Sequence, residues 1–321
     1  MTKNTTILGI DISKDSFDVY DDLKGHRQFS NDLKGFNSFY KSLKENTWVI
    51  MEATGSYHHR LVLYLFENGI VVSVVNPLVV KRFIQMKLNR VKTDKSDAQM
   101  ICRYGQEQTL EPWEPDPEYV KQCKEVQSVV QLYFKQRTAL KNKLHSLQSK
   151  GLTKGKAITS LKRQLRGLDK EIAFLEDEME SLIKANEPDL YTRIKSIPGL
   201  GKKTAILLIV ATNGFKDFAS SKQISSYFGM APHERSSGSS VKGKTRIGKN
   251  GHPIIRNHLF LCSFTACMYN PQCKALYDRI VAKGKSKKLA LIAVSNKLIK
   301  QAYGIAKSGL YYDENYRSKL A

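Results

Sequence analysis

The chain has 321 residues, enough for two or three domains, and 41% of them are hydrophobic. No stretch reaches the roughly 18–20 uninterrupted apolar residues of a membrane helix, which argues against a membrane-spanning protein. The five cysteines are an odd number without a CxxC pair. This argues against a disulfide framework and a zinc site, and together with the lack of a signal-peptide pattern it predicts a cytoplasmic protein.

Positive charge is concentrated in the later part of the sequence. Residues 1–115 carry 15 Lys and Arg against 14 Asp and Glu, whereas residues 116–321 carry 37 against 16. The net charge of +22 therefore arises almost wholly after residue 115. Because such a field attracts polyphosphates, the sequence favours a nucleic-acid partner over a merely soluble basic surface.

The first 115 residues predict an α/β fold with a mixed sheet. Three strands come first, and helices then alternate with two further strands. Val and Ile enrichment, alternation and flanking turn residues support the strands, and apolar spacing supports the helices. The predicted strands are Ile7–Ile12, Ser16–Tyr20, His26–Ser30, Trp48–Met51 and Val71–Val75, and the predicted helices include residues 35–45, 57–68 and one opening at Thr93–Asp97.

Four carboxylates, called the carboxylate quartet below, stand at the ends of these elements. Asp11 lies in the first strand, Glu52 directly follows the fourth, and Asp94 and Asp97 share one face of a helix. Hard cations held by several acidic oxygens are a recurring device for displacement at phosphorus. Each acid alone also has a structural explanation, since Asp11 could cap a turn and Asp94 could interact with the helix dipole.

Gly9 lies two residues before Asp11 in the same predicted strand. A glycine within a strand allows a close neighbour to approach, because no side chain stands in the way. The neighbour could be another backbone or a phosphate.

Residues 116–190 predict a long helical arm. After the proline-rich segment Glu111–Pro117, apolar residues recur at spacings of three and four over Cys123–Leu147, interrupted only by Arg137. A turn rich in Gly and Lys follows, and the same spacing continues over Ile158–Leu182. Sustained heptads predict a coiled coil, whose two helices either pack on each other or pair with another subunit.

Residues 197–205 have the pattern of a helix-hairpin-helix turn. Gly199 and Gly201 would let the backbone approach a phosphate, and the amides that begin the next helix, together with Lys202, could bind it. The alternative is a tight connection between two helices.

Residues 232–256 are basic and rich in serine. They contain six basic residues and one acid, with four serines and four glycines, which suits a phosphate-binding loop or an ordinary linker. A serine hydroxyl becomes a good nucleophile only when its pKa is lowered or its proton is accepted, and nearby cations can stabilise a phosphate in the transition state. The candidate phosphate-binding residues are Arg235, Lys242, Lys244, Arg246 and Lys249.

Several short motifs resemble the DEDD-type transposases of the insertion-sequence one-ten family. They occur in the order and spacing of that family, and the resemblance covers nearly the whole chain, least over residues 116–190. The N-terminal domain of that family resembles the RuvC resolvase, which has a ribonuclease-H-like fold. The motifs are Gly9–Lys14, Met51–Tyr57, Val74–Pro77, Lys92–Ala98, Ser237–Gly243, Ala302–Gly304 and Lys307–Gly309.

The resemblance implies a site in two parts. The carboxylate quartet would bind Mg²⁺, and the match of Ser237–Gly243 to the family's serine motif would make Ser237 the nucleophile. Ser236 precedes it, so a shift of one residue would change this assignment.

The resemblance also implies a domain order and a set of partners. A RuvC-like mixed-sheet domain would occupy residues 1–115, a coiled-coil arm 116–190 and a mainly helical transposase domain 191–321. The protein would be a bacterial, nucleoid-associated recombinase that acts on donor and target DNA. A bridge RNA would guide it, and it would assemble as a dimer or tetramer.

Two alternatives come from other classes of protein. A metal-dependent, structure-selective endonuclease would use the carboxylate quartet with water as the nucleophile. A non-catalytic nucleic-acid-binding protein would account for the charge, but it would leave the four acids of a nearly neutral domain unexplained.

Overall fold

The computed structural model describes residues 5–87, 93–233, 236–237, 241–242, 246–248 and 251–316. The chain divides into two compact units, Met1–Pro115 and Asp116–Ala321. Within the described ranges, no helix is both long enough and apolar enough to cross a membrane. The further division of the second unit at residue 190 stays a prediction.

The first unit is built on a five-stranded mixed sheet. Its strand order is β3-β2-β1-β4-β5, in which β1, β2 and β3 pair antiparallel while β1, β4 and β5 run parallel. The elements are β1 Thr6–Ile12, β2 Ser16–Asp21, β3 Gly25–Ser30, α1 Leu33–Lys41, β4 Thr47–Glu52, α2 His59–Glu67, β5 Val71–Val75, α3 Pro77–Met86 and α4 Asp94–Glu107.

All five predicted strands are present, and their bounds agree with the prediction to within one residue at each end. The first helix differs more, because it begins at Leu33 and ends at Lys41 instead of spanning 35–45. The reason is local capping: Asp32 Oδ1 accepts a hydrogen bond from Gly35 N at 2.8 Å, and the chain leaves the helix at Ser42. The side chain before the apolar pattern therefore sets where this helix starts.

The two faces of the sheet pack against different helices. Leu8, Ile10 and Ile12 of β1 join the core with α1 and α2, whereas Ile7 packs with α4 on the opposite face. Gly9 also lies beneath α4, and a Cβ there would be 2.2 Å from both the Ala98 carbonyl oxygen and the Cys102 nitrogen. The neighbour that the glycine admits is therefore a helix backbone.

The second unit is mainly helical. Its longest elements, α5 and α6, pack on each other, and α8 is buried on nearly every side. Four strands of two residues form two separate antiparallel ladders, β6 with β9 and β7 with β8. The elements are α5 Glu118–Ser149, α6 Lys156–Asn186, α7 Pro188–Lys195, α8 Lys202–Ala211, α9 Ser221–Tyr227, β6 Pro232–His233, β7 Ser236–Ser237, β8 Val241–Lys242, β9 Arg246–Ile247, α10 Pro253–Tyr269, α11 Pro271–Ala282 and α12 Lys287–Ser308.

The helical arm folds back on itself, which was one of the two arrangements that the heptads allowed. In α6 the buried seam residues are seven positions apart, in the order Ile158, Leu165, Ile172 and Met179. Arg137, which interrupts the apolar seam of α5, forms an ion pair across it, with its Nε 3.0 Å from Asp169 Oδ1. The polar residue in the seam therefore has a partner on the facing helix.

Candidate active site

Two acids lie side by side at the carboxyl ends of neighbouring parallel strands. The last paired residues of β1 and β4 are Ile10 and Met51, and Asp11 and Glu52 are the next residue of each strand. Both acids are partly buried. Since residues in register on adjacent strands share a face of the sheet, Asp11 and Glu52 lie on the same face as Gly9.

The other two acids lie in the first turn of α4. Thr93 and Ser96 form a capping box, in which Ser96 N donates to Thr93 Oγ1 at 3.1 Å and Thr93 N donates to Ser96 Oγ at 2.9 Å. Asp94 is exposed and Asp97 is partly buried. The cap fixes where the helix begins. Because Gly9 has no side chain, this helix can pack directly against the backbone of β1.

The other three acids of the carboxylate quartet lie within electrostatic range of Asp11. The pKa of Asp11 is raised from 3.8 to about 6, first by burial and then by the charges of Asp97, Glu52 and Asp94. Burial and like charge both disfavour the ionised form of a carboxyl group. The fold therefore gathers negative charge around Asp11 from β4 and α4.

A fifth carboxylate, which the sequence analysis missed, lies opposite Asp11. Asp18 of β2 pairs in register with Asp11 and is only 6% exposed. Its Oδ1 lies 2.6 Å from His26 Nε2 and accepts a bond from Gln28 Nε2 at 3.3 Å. The signal that could have found it is the hairpin itself, because the register of β1 and β2 brings Asp18 across from Asp11.

The donor set suits a divalent cation in chemistry and in charge. Oxygen ligands from several acids are what Mg²⁺ and similar ions prefer, and a cation would relieve the repulsion at Asp11. Among the described residues, however, no three His, Cys, Asp or Glu side chains are gathered into a group that could hold a metal ion.

The glycine-rich turn between α7 and α8 has a packing role. Gly199 has φ +104°, and a Cβ there would lie 2.7 Å from the Ala266 Cβ in α10. Gly201 precedes α8 and has open space where a side chain would stand. The first glycine thus permits a close helix contact, as the tight-connection alternative requires.

The lysines at the start of α8 pair with acids of α6. Lys202 Nζ lies 3.0 Å from Asp177 Oδ1 and 2.9 Å from Glu180 Oε2, and Lys203 Nζ lies 2.6 Å from Glu176 Oε2. Hydrogen bonds to Glu180 and then Asp177 raise the pKa of Lys202 above its ordinary value. These contacts attach α6 to α8, and the phosphate contact predicted for this turn stays a prediction.

The serine-rich segment contains a short antiparallel ladder at the candidate nucleophile. Ser236 pairs with Lys242 and Ser237 with Val241 in the β7–β8 ladder. Ser237 therefore stands in the pair next to the connection 238–240, which lies outside the described residues. Of the candidate phosphate-binding residues, Lys242 and Arg246 lie in β8 and β9, while Arg235, Lys244 and Lys249 fall outside the described residues.

Two models of transposase domains match the chain. The DEDD domain model of IS110 elements, described as Transposase, matches residues 8–149. A model described as Transposase IS116/IS110/IS902 family matches residues 191–278. The carboxylate quartet falls within the first match and Ser237 within the second.

Full-length relatives agree with these matches. The pilin gene-inverting protein of Moraxella bovis is 29% identical over 96% of this chain and 98% of its own length. The transposase for insertion sequence element IS1111A of Coxiella burnetii is 26% identical over 92% of this chain and 88% of its own length. The transposase for IS1328 of Yersinia enterocolitica is 24% identical over 90% of this chain and 96% of its own length.

The order of the two matched domains follows the order of the two units. The mixed sheet is the ribonuclease-H-like DEDD domain, which implies the use of a divalent metal ion, and the mainly helical part follows it. Such enzymes act on DNA. The chain is therefore a DNA recombination enzyme that belongs to the IS110 (insertion sequence one-ten) family of transposases.

Proposed function

We propose that this transposase is an RNA-guided recombinase that cuts and rejoins DNA strands through a phosphoserine intermediate on Ser237. The observation that carries this proposal is the gathering of the carboxylate quartet from β1, β4 and α4 around the partly buried carboxyl group of Asp11. A protein that only bound nucleic acid would gain nothing from this repulsion. The second matched domain contains Ser237, the candidate nucleophile, which a simple nuclease would not need.

The reaction conserves the phosphodiester bond energy. The Ser237 oxygen attacks a DNA phosphorus, the bond to the leaving deoxyribose oxygen breaks, and that oxygen takes up a proton as a free hydroxyl. The hydroxyl of a new partner strand then attacks the phosphoserine and returns the proton to serine. No water is consumed and no nucleotide cofactor is needed, because one ester replaces another at each step.

Asp11, Glu52, Asp94 and Asp97 would hold Mg²⁺. This ion would supply charge neutralisation at the phosphate and lower the pKa of the attacking hydroxyl. The four acids lie on two rigid elements, the sheet edge and the capped turn of α4, which would hold the ion, and through it the phosphate, in a fixed place. Arg235, Lys242, Lys244, Arg246 and Lys249 would bind the DNA backbone beside Ser237.

A bridge RNA encoded beside the gene would choose the donor and target DNA by base pairing. The support is the distribution of charge, since residues 116–321 carry 37 basic and 16 acidic residues. Such a surface suits backbone contact and leaves base recognition to the RNA. The relatives named as pilin gene-inverting proteins suggest that inversion and transposition are two outcomes of the same strand exchange.

Recombination between two duplexes requires an even number of active sites, which a dimer or tetramer would provide. The carboxylate quartet and Ser237 belong to different compact units. The two parts would meet either within one subunit or between two.

The deciding experiment traps the covalent intermediate. Wild-type protein, RNA, Mg²⁺ and end-labelled DNA should give a protein–DNA adduct that survives denaturation. Ser237→Ala should form no adduct and join no strands, while Ser236→Ala should retain both activities. An adduct that persists in Ser237→Ala and disappears in Ser236→Ala would move the nucleophile by one residue.

Two further samples test the competing endonuclease. Asp94→Asn should abolish cleavage, and EDTA should do the same to the wild-type protein. Cleavage by Ser237→Ala at the wild-type rate, without joining, would show that water is the nucleophile.

A further inference from the structure

The hydrogen-bonded ladder between β1 and β4 stops just before the two acids that these strands carry. Ile10 and Met51 form the last pair. Beyond it the strands keep other partners, since Asp11 pairs with Asp18 of β2 and Glu52 pairs with Val75 of β5. The backbone of each acid is therefore held by its other neighbouring strand, and a contact between the segments that follow can further fix the separation of Asp11 and Glu52.

Asn31 provides a contact across this gap. It lies between β3 and α1, and its backbone N–H donates to the Asp15 carbonyl oxygen at 2.9 Å. Its side-chain Nδ2 lies 2.8 Å from the Ser13 carbonyl oxygen and 3.4 Å from the Tyr57 carbonyl oxygen. Ser13 follows the strand of Asp11 and Tyr57 follows the strand of Glu52, so one amide group spans both segments.

The chemistry of the two neighbours fixes the orientation of the Asn31 amide. Both are carbonyl oxygens, which only accept hydrogen bonds, so the NH₂ group must face them. The Oδ1 atom is consequently buried without a hydrogen-bond partner among the described residues. A carboxylate of the same shape could not replace this amide, because neither of its oxygens donates when ionised.

The two bonds differ in strength. The bond to Ser13 has ordinary length, whereas the bond to Tyr57 is long for an N–H···O contact. The β1 side is therefore held firmly and the Glu52 side more loosely.

We propose that Asn31 is a positioning residue that sets the spacing of Asp11 and Glu52 for the divalent cation. The inference rests on the proposed role of the carboxylate quartet as the metal-binding group. Ligand positions must be held to about 0.5 Å for productive binding, and an amide that links the segments after both strands limits their relative movement.

The test is calorimetric titration of the full-length protein with Mn²⁺, without nucleic acid. Asn31→Asp and Asn31→Ala should each weaken Mn²⁺ binding about tenfold, the range found when groups that orient metal ligands are removed. Asn68→Ala is the matched control, because Asn68 Nδ2 donates to the Tyr64 carbonyl oxygen at 2.7 Å at the end of α2. The Asn68→Ala protein should lose a comparable hydrogen bond and keep the wild-type affinity for Mn²⁺.

A second readout separates positioning from folding. In DNA cleavage, the metal concentration that gives half the maximal rate should rise about tenfold in the Asn31 variants, and saturating metal should restore most of the rate. Wild-type Mn²⁺ affinity in both Asn31 variants would overturn the inference. If the wild-type protein binds no Mn²⁺, or Asp11→Asn binds it normally, the proposed metal site fails first and this inference falls with it.

Discussion

The two units use the same chemical group for opposite purposes. In the first unit, burial and the acids around Asp11 raise its pKa to about 6. In the second, hydrogen bonds from Lys184, Tyr191 and Lys202 lower the pKa of Glu180 to about 2. The surroundings of Asp11 disfavour its ionised form, whereas the surroundings of Glu180 stabilise its ionised form.

The two environments are typical of different roles, a functional role for Asp11 and a structural role for Glu180. Glu180 belongs to the contacts that attach α6 to α8, and its charge favours the folded state. Asp11 is gathered with like charges, and its ionisation disfavours the folded state. Perturbation by burial and by like charge is what catalytic and metal sites show, whereas ion pairs such as that of Glu180 also occur for purely structural reasons.

The sharpest test of this contrast is Asp11→Asn. Strand cleavage should fall at least about a thousandfold, because a proposed metal ligand and its charge are lost. In EDTA at pH 7.5 the same variant should be more stable than wild type by about 1–2 kcal/mol, allowing for partial exposure of the group. Activity assays and chemical denaturation check both parts.

The sign of the stability change follows from the pKa. The folded value of about 6 exceeds the ordinary 3.8, so ionised Asp11 destabilises the protein fully above pH 6 and not at all below about pH 3.8. The advantage of Asp11→Asn should therefore vanish at pH 3.5. Exposed Glu67→Gln is the control and should change little at either pH. A less stable Asp11→Asn protein at pH 7.5 would contradict the repulsion.

Gly9→Ala tests how α4 is held against β1. The new Cβ would stand 2.2 Å from the backbone of α4, so the helix must move and take Asp94 and Asp97 with it. We expect a loss of about 1–3 kcal/mol in stability, as in other overpacked cores, and a loss of cleavage that added stabilisers do not restore. Gly167→Ala, which meets no neighbour, is the control.

Glu180→Gln tests a carboxylate whose ionised form is stabilised by its hydrogen-bond partners. Its folded pKa of about 2 lies below the ordinary 4.5, so its contribution is present above pH 4.5 and is lost as the pH falls towards 2. The variant should lose about 1–2 kcal/mol at pH 7, after allowance for solvent screening, and little at pH 2.5. Exposed Glu178→Gln on the same helix should behave as wild type at both pH values.

Lys202→Gln has the smallest expected effect and asks whether this lysine also binds DNA. Because the variant loses the ion pairs with Asp177 and Glu180, its melting temperature should fall by a few degrees. Since the two acids already neutralise the charge of Lys202, the slope of log DNA affinity against log salt should stay constant. A slope smaller by about one unit would instead support a phosphate contact. Lys170→Gln, exposed on α6, is the control.

The sequence predicts the sheet well because its signals are local. Alternation and Val–Ile runs mark β1 to β5, and Asp94 and Asp97 share a helix face by spacing alone. Asp18 was missed because its position opposite Asp11 depends on strand register, which no single strand encodes. The contact of Lys202 with Glu180 was missed for a similar reason, since it depends on which faces of α6 and α8 meet.

Gly9 shows what the sequence can and cannot predict about a packing contact. Its place in a strand predicts a close neighbour, but the sequence cannot tell a helix backbone from a phosphate. Only the packing of α4 distinguishes them. The assignment of Ser237 rests on its match to the family's motif, whereas that of the flanking cations rests on the basic composition of residues 232–256.

The ion pair between Arg137 and Asp169 has a consequence for how the arm is aligned. An apolar seam that repeats every seven residues packs almost equally well after one helix slides by a heptad. The pair is partly exposed, so it adds little stability. A slip of one heptad in one direction would place Lys162 opposite Arg137, and a slip in the other direction would place Glu176 there and remove Glu176 from its pair with Lys203. The ion pair of Arg137 with Asp169 thus favours the observed alignment of α5 and α6 over both slipped ones.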